Sequence, residues 1–86
     1  MVLYFRNIDP EKNRRRHYLL TLQQDLLGQL VVVRRWGRIG ASGWQGCQTH
    51  LVHDDQEASR LIRETLNRRR RHGYCIVEGE SLDLPQ

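Results

Sequence analysis

The residues best suited to chemistry lie in one run of seven, Arg34-Arg35-Trp36-Gly37-Arg38-Ile39-Gly40. In an extended backbone, side chains at spacing two share a side. Arg34, Trp36 and Arg38 then form a basic-aromatic-basic row at a strand end, with Arg35 beside it. An indole stacks on an exposed sugar or base, worth about 1–3 kcal/mol per base, while guanidinium forks take phosphate oxygens. Gly37 and Gly40 allow close backbone approach and offer N–H groups as further donors. A Trp at a strand end also serves simply as core, with its arginine neighbours solvated, and periodicity leaves both uses open.

The other basic runs admit the same two uses. Arg14, Arg15 and Arg16 read as part of a flexible loop before the second strand, from which Arg16 either reaches a phosphate backbone or stays in water. Arg68 to Arg71 fill a last helical turn, where the helix dipole favours cations with or without a polyanion. Trp44 reads as a hydrophobic lid over a glycine-rich segment, with a second stacking platform as the alternative. Cys47, His50 and His53 are spaced by three, which on a strand sends successive side chains to opposite faces, so no metal site is expected. His17 and His72 lack partners at ligand spacing. There is no phosphate-binding loop with Lys and Ser/Thr, no nucleophile elbow and no His-Glu-x-x-His pattern. The carboxylates gather at a helix start and in the C-terminal tail, where capping and solvation account for them. The expectation is therefore no enzymatic activity, no metal and no cofactor.

Charge narrows the class of partner. Thirteen of the fourteen basic residues are arginine, Lys12 being the exception, and arginine is the residue of planar, bidentate phosphate and carboxylate recognition. Residues 1–77 carry +7 and residues 78–86 carry −3, giving the net +4. The body is thus a polyanion-seeking surface. At 86 residues the chain makes one small domain. The longest purely apolar stretch, Leu30 to Val33, is far too short to span a membrane, so no membrane partner is expected. Met1 to Arg6 does not resemble a secretory signal, and a cytoplasmic location is the expectation. Cys47 and Cys75 fit reduced, buried thiols better than a disulfide framework, although sequence leaves a single bridge open.

These residues need a scaffold, and the pattern supplies one. Residues 2 to 7 are rich in strand formers and stop at Asn7-Ile8-Asp9-Pro10. Glu11 to Arg16 is polar and loop-like. His17 to Gln23 alternates, with Tyr18, Leu20 and Leu22 on one side. Asp25 to Gln29 reads as a turn, and Leu30 to Trp36 as a central strand that forms a hairpin with its predecessor. Residues 37 to 46 hold four glycines and form a loop, and Cys47 to Val52 is a fourth strand. The period then changes: Ala58, Leu61, Ile62, Thr65, Leu66 and Arg69 mark one stripe of an amphipathic helix. Asp54 or Asp55 can cap it, Glu57 stands at capping-box spacing from Asp54, and Gly73 is a left-handed stop. Tyr74 to Val77 can add a short edge strand. The expected fold class is α+β: a twisted antiparallel sheet of four to five strands with one amphipathic helix packed across it, over residues 1–77. An acidic, flexible tail follows over residues 78–86.

The run Trp36-Gly37-Arg38-Ile39-Gly40 follows an apolar strand and a Tyr-containing strand at Tyr18 to Gln23. A helix beginning near Glu57 and the pair Gly73-Tyr74 come after it. In this order the chain resembles the WGR domain over roughly residues 2 to 77. The resemblance implies a twisted antiparallel sheet crossed by one helix. In DNA-damage-dependent poly(ADP-ribose) polymerases this module binds at a DNA break. Its signature Trp and Arg contact the 5′ end and help relay the signal to the catalytic domain; the matching positions here are Trp36 and Arg38. No catalytic transferase region, zinc finger or helical regulatory domain fits within 86 residues, so polymerase activity is not implied. The polymerase versions close with Lys-Thr-Gly-Asn-x-Trp. Arg70-Arg71-His72-Gly73-Tyr74 stands here instead, closer to small bacterial single-domain members.

Together these readings predict a module that binds DNA ends, nicks or gaps through Trp36, Arg38, Arg34, Arg35, Gly37, Gly40 and Arg16. The alternative is a protein-interaction module docking an acidic protein partner, for which the same charge is suited.

Overall fold

A computed structural model describes residues 1–77; the expectation of an acidic, flexible tail over residues 78–86 lies outside them. The chain runs β1 (Val2–Asp9), a 3-10 turn (Pro10–Lys12), β2 (Arg14–Gln24), β3 (Leu30–Arg38), β4 (Gly46–Leu51), α1 (Asp55–Arg71) and β5 (Cys75–Ile76). The strands form one antiparallel sheet in the order β4-β3-β2-β1-β5. This is the expected α+β architecture, at the upper end of the expected strand number.

Alternation decides which face meets the helix. Phe5, Tyr18, Leu20 and Val32 pack with Val52, Ala58 and Tyr74 into the core, flanked by Leu61, Ile62 and Leu66 of α1. Phe5, Leu20 and Val32 are fully buried. Continuing the same parity toward one end of the sheet puts Arg16, Arg34, Trp36 and Arg38 on the α1 face, beyond the apolar core. The opposite face, carrying Tyr4, His17, Arg35 and Cys47, has no helix of the described residues over it.

The helix ends as its sequence directs. Asp54 accepts the Glu57 backbone N–H at 2.8 Å, while the Glu57 carboxylate accepts from His53 N at 3.3 Å, one residue before the cap. Gly73 takes φ +87°, open to glycine at no steric cost, and the turn brings Tyr74 N–H onto the Arg69 carbonyl at 2.9 Å. Asn7 of β1 donates to the His72 carbonyl at 3.0 Å, tying the helix end to the sheet.

Three expectations are corrected. Strand two begins at Arg14 rather than His17: Asn13, at φ 51°, closes a tight turn after Pro10–Lys12 and lets Arg14, Arg15 and Arg16 pair with Asp9, Ile8 and Asn7. The basic loop is therefore a paired strand. Strand three runs on to Arg38, paired with Arg16. Cys47 and Cys75 are exposed rather than buried. They lie on strands at opposite edges of the sheet. Four interstrand spacings of about 4.8 Å put them roughly 19 Å apart, so they cannot bridge within one chain.

Candidate nucleic-acid interface

Where the apolar part of the α1 face ends, the sheet and the end of the helix enclose an open cleft of about 490 Å³. Arg16, Arg34 and Arg38 come from the sheet and Arg69 from α1; Tyr18, Trp36 and Tyr74 supply the rings, and among the described residues no carboxylate lines it. Arg16 and Arg38 are direct cross-strand partners, an arrangement of like charges that disfavours the free fold slightly and concentrates positive potential.

Trp36 is 38 % exposed, so it is neither core nor free side chain. Its ring lies nearly parallel to Tyr18, at 6.2 Å and 15°. Its other support is an absence: Gly46 pairs with Trp36 across β3 and β4, and a Cβ there would fall 2.2 Å from indole Cε2. The indole lies flat over bare backbone, which only glycine permits. Behind it, the Arg69 guanidinium sits 4.7 Å over the Tyr18 ring and 5.2 Å over the Tyr74 ring.

Among the described residues the guanidiniums are held by neutral groups. Arg34 donates to Gln48 Oε1 at 2.9 Å and also contacts His50 Nε2. Desolvation first, and the Arg34 charge second, hold the His50 pKa below its ordinary value, which suits it to accept from that arginine. Arg38 reaches the Asn13 carbonyl and Oδ1 at 3.4 Å each. The Nε atoms of Arg34 and Arg69 are buried with no hydrogen-bond partner among the described residues. A buried N–H left so costs about 1–3 kcal/mol.

The structure brings together Trp36, Arg34, Arg38 and Arg16, with Gly37 at the rim. Arg35 points to the other face, in register with Leu19 and Cys47. Gly40 stands apart in the turn after β3, at φ +89°. Sequence reasoning did not single out Tyr18, Tyr74, Gln48 or Gly46 for the site. Arg69 was legible on the inward stripe of the helix, but its place in a run of four arginines concealed that it alone turns inward over two tyrosines. Trp44, expected as a lid on the glycine loop, stacks on His17 across the opposite face at 4.2 Å and 27°.

An antiparallel sheet crossed by one helix, with a cationic, aromatic cleft where its core ends, defines a small binding module. The family model of the WGR domain matches residues 1–80, and the chain belongs to that family, one of nucleic-acid-binding modules. It is also 33 % identical over 72 residues to the uncharacterized protein y4dW of Sinorhizobium fredii (strain NBRC 101917 / NGR234), a match covering 84 % of this chain and 34 % of that protein. The chain thus spans about a third of the length of this curated relative. No solved structure matches it at a significant level.

Proposed function

We propose that the protein binds DNA at ends, nicks or gaps, with the α1-face cleft as the site. The observation that carries this reading is the cleft's composition among the described residues: four arginines and three aromatic rings with no carboxylate, around an indole laid flat and left 38 % exposed. A continuous duplex offers its phosphates but hides its base and sugar faces in the stack. An interruption offers both at once, and only there does the indole gain a partner. Arg16, Arg34 and Arg38 take phosphate oxygens, while Arg69 braces the aromatic floor. Base edges are not read, so sequence preference is weak.

The test compares blunt-ended, nicked and closed circular DNA in gel shifts at physiological salt. Trp36→Ala should weaken binding to ends and nicks by about tenfold and leave circular DNA nearly unaffected. With about three phosphates neutralised, log affinity should fall against log salt with a slope of about −2.7. Equal losses on all three DNAs would reduce Trp36 to a support of the fold. Absence of binding to any of them would turn attention to an acidic protein partner.

A further inference from the structure

The end of β3 and the loop that follows it place one indole on each face of the sheet. Trp36 lies on the α1 face, and Trp44 lies over His17 on the other. His17 is itself fixed: the Tyr4 hydroxyl bonds its Nδ1 at 2.7 Å, and the two rings meet edge-on at 5.7 Å. Trp44 is thus backed on one side and 37 % exposed overall, almost the same exposure as Trp36. The residue across from His17 on β3 is Gly37, a buried position over which Gln45 lies, its backbone N 3.1 Å and its Cγ 3.4 Å from where a Cβ would stand.

The charges around this second indole repeat those around the first. Arg15 is exposed two residues along β2 from His17 on the same face, and Arg35 stands on β3 two residues from Gly37. Arg6 pairs with His17 across the strands and rests 5.4 Å over the Tyr4 ring. No strand residue described on this face is acidic. A single backbone layer separates it from the cleft. An anionic occupant that offers a flat face fits this surface.

Building on the DNA-end reading above, we propose that the rim of the sheet straddles an opened duplex. One strand enters the α1-face cleft beside Trp36, and the other runs as a single strand over the opposite face. There it stacks on Trp44 and lays its phosphates on Arg15 and Arg35. Stacking and phosphate contacts without base-edge hydrogen bonds make the second surface tolerant of sequence.

The experiment measures fluorescence anisotropy of the full chain at one salt concentration on three probes: a blunt duplex, a fork with two unpaired thymidine arms, and the same fork lacking one arm. The wild type should bind the two-armed fork most tightly. Trp44→Ala should lose about tenfold on that fork and stay within about twofold on the blunt duplex. Trp44→Phe should recover most of the loss. Because Trp44→Ala removes packing from His17, the double substitution Arg15→Gln and Arg35→Gln supplies an independent arm, with the same selective loss expected. A two-armed fork bound no better than the one-armed fork, or losses equal on fork and blunt duplex, would overturn the second surface while leaving the cleft reading intact. Failure of the wild type to bind any probe would remove both.

Discussion

The two ends of the β2–β3 hairpin are exposed in opposite ways. At the turn, Asp25 Oδ1 accepts the backbone N–H groups of Leu27 and Gln29, each at 2.9 Å, while Gly28 N–H meets the Asp25 carbonyl at 3.0 Å. The polar groups are satisfied, and the side chains left bare are Leu26 and Leu27, at 105 % and 83 % exposure. At the other end Trp36 is partly packed, and the groups without partners among the described residues are polar: the buried Nε atoms of Arg34 and Arg69. Exposed leucines forgo a gain that folding never made, and single exposed apolar residues are ordinary on protein surfaces. Buried N–H groups without acceptors are uncommon and costly. Of the two ends, the second is where the proposed DNA site lies.

The largest effect that would break this contrast comes from Gly46. Gly46→Ala puts a methyl within 2.2 Å of the Trp36 ring, so the indole must leave its place on the strand. A cost of about 1–3 kcal/mol is expected from forcing a side chain out of a packed position. DNA-end binding should fall at least as far as in Trp36→Ala, with a changed tryptophan emission. Thermal unfolding, emission and end binding, measured together, check it. An unchanged spectrum with full binding would mean that the indole was never held by the bare backbone.

Gly46 also shows where sequence legibility stops. The alternation of Phe5, Tyr18, Leu20 and Val32, the helix stripe from Ala58 to Arg69, the Asp54 cap and the Gly73 stop are local signals, and each appears in the structure in its expected role. The row Arg34, Trp36, Arg38 was equally local, because period two along one strand fixes it. What escaped depends on register between distant segments. Gly46 matters only because β4 pairs it with Trp36, and Arg16 joins Arg38 only because the turn at Asn13 begins β2 three residues earlier than its pattern suggested. Arg35 fell outside the cleft for the same parity that put Arg34 inside it.

An intermediate effect separates the ends by pH. His17 and His50 both belong to the arginine-rich half of the sheet, and both have lowered pKa values: His17 through desolvation and then Arg6, His50 through desolvation and then Arg34. The folded protein therefore takes up these protons less readily than the unfolded chain. Their contribution to stability is complete above about pH 6.5, the unperturbed value, and is lost as pH falls through it toward the lowered native values. Melting curves at pH 7.5 and 5.5 should show a drop that shrinks in His17→Gln and His50→Gln. A drop of the same size in both variants would place its origin in other groups.

The smallest effect should come from the leucines, and it sharpens the comparison most directly. Because the turn is closed by Asp25 and the backbone, the Leu26 and Leu27 side chains hold nothing in place. Leu26→Ser and Leu27→Ser, singly or together, should change unfolding free energy by no more than about 0.5 kcal/mol. DNA-end affinity should stay at the wild-type value, since both residues lie at the far end of the hairpin from Trp36. Denaturant titration and the same gel shifts measure both quantities. A clear loss of end binding on removing leucines that touch neither the cleft nor the core would mean that the apolar tip takes part in the complex. The ordering of the two ends drawn from their unpaired polar groups would then be reversed.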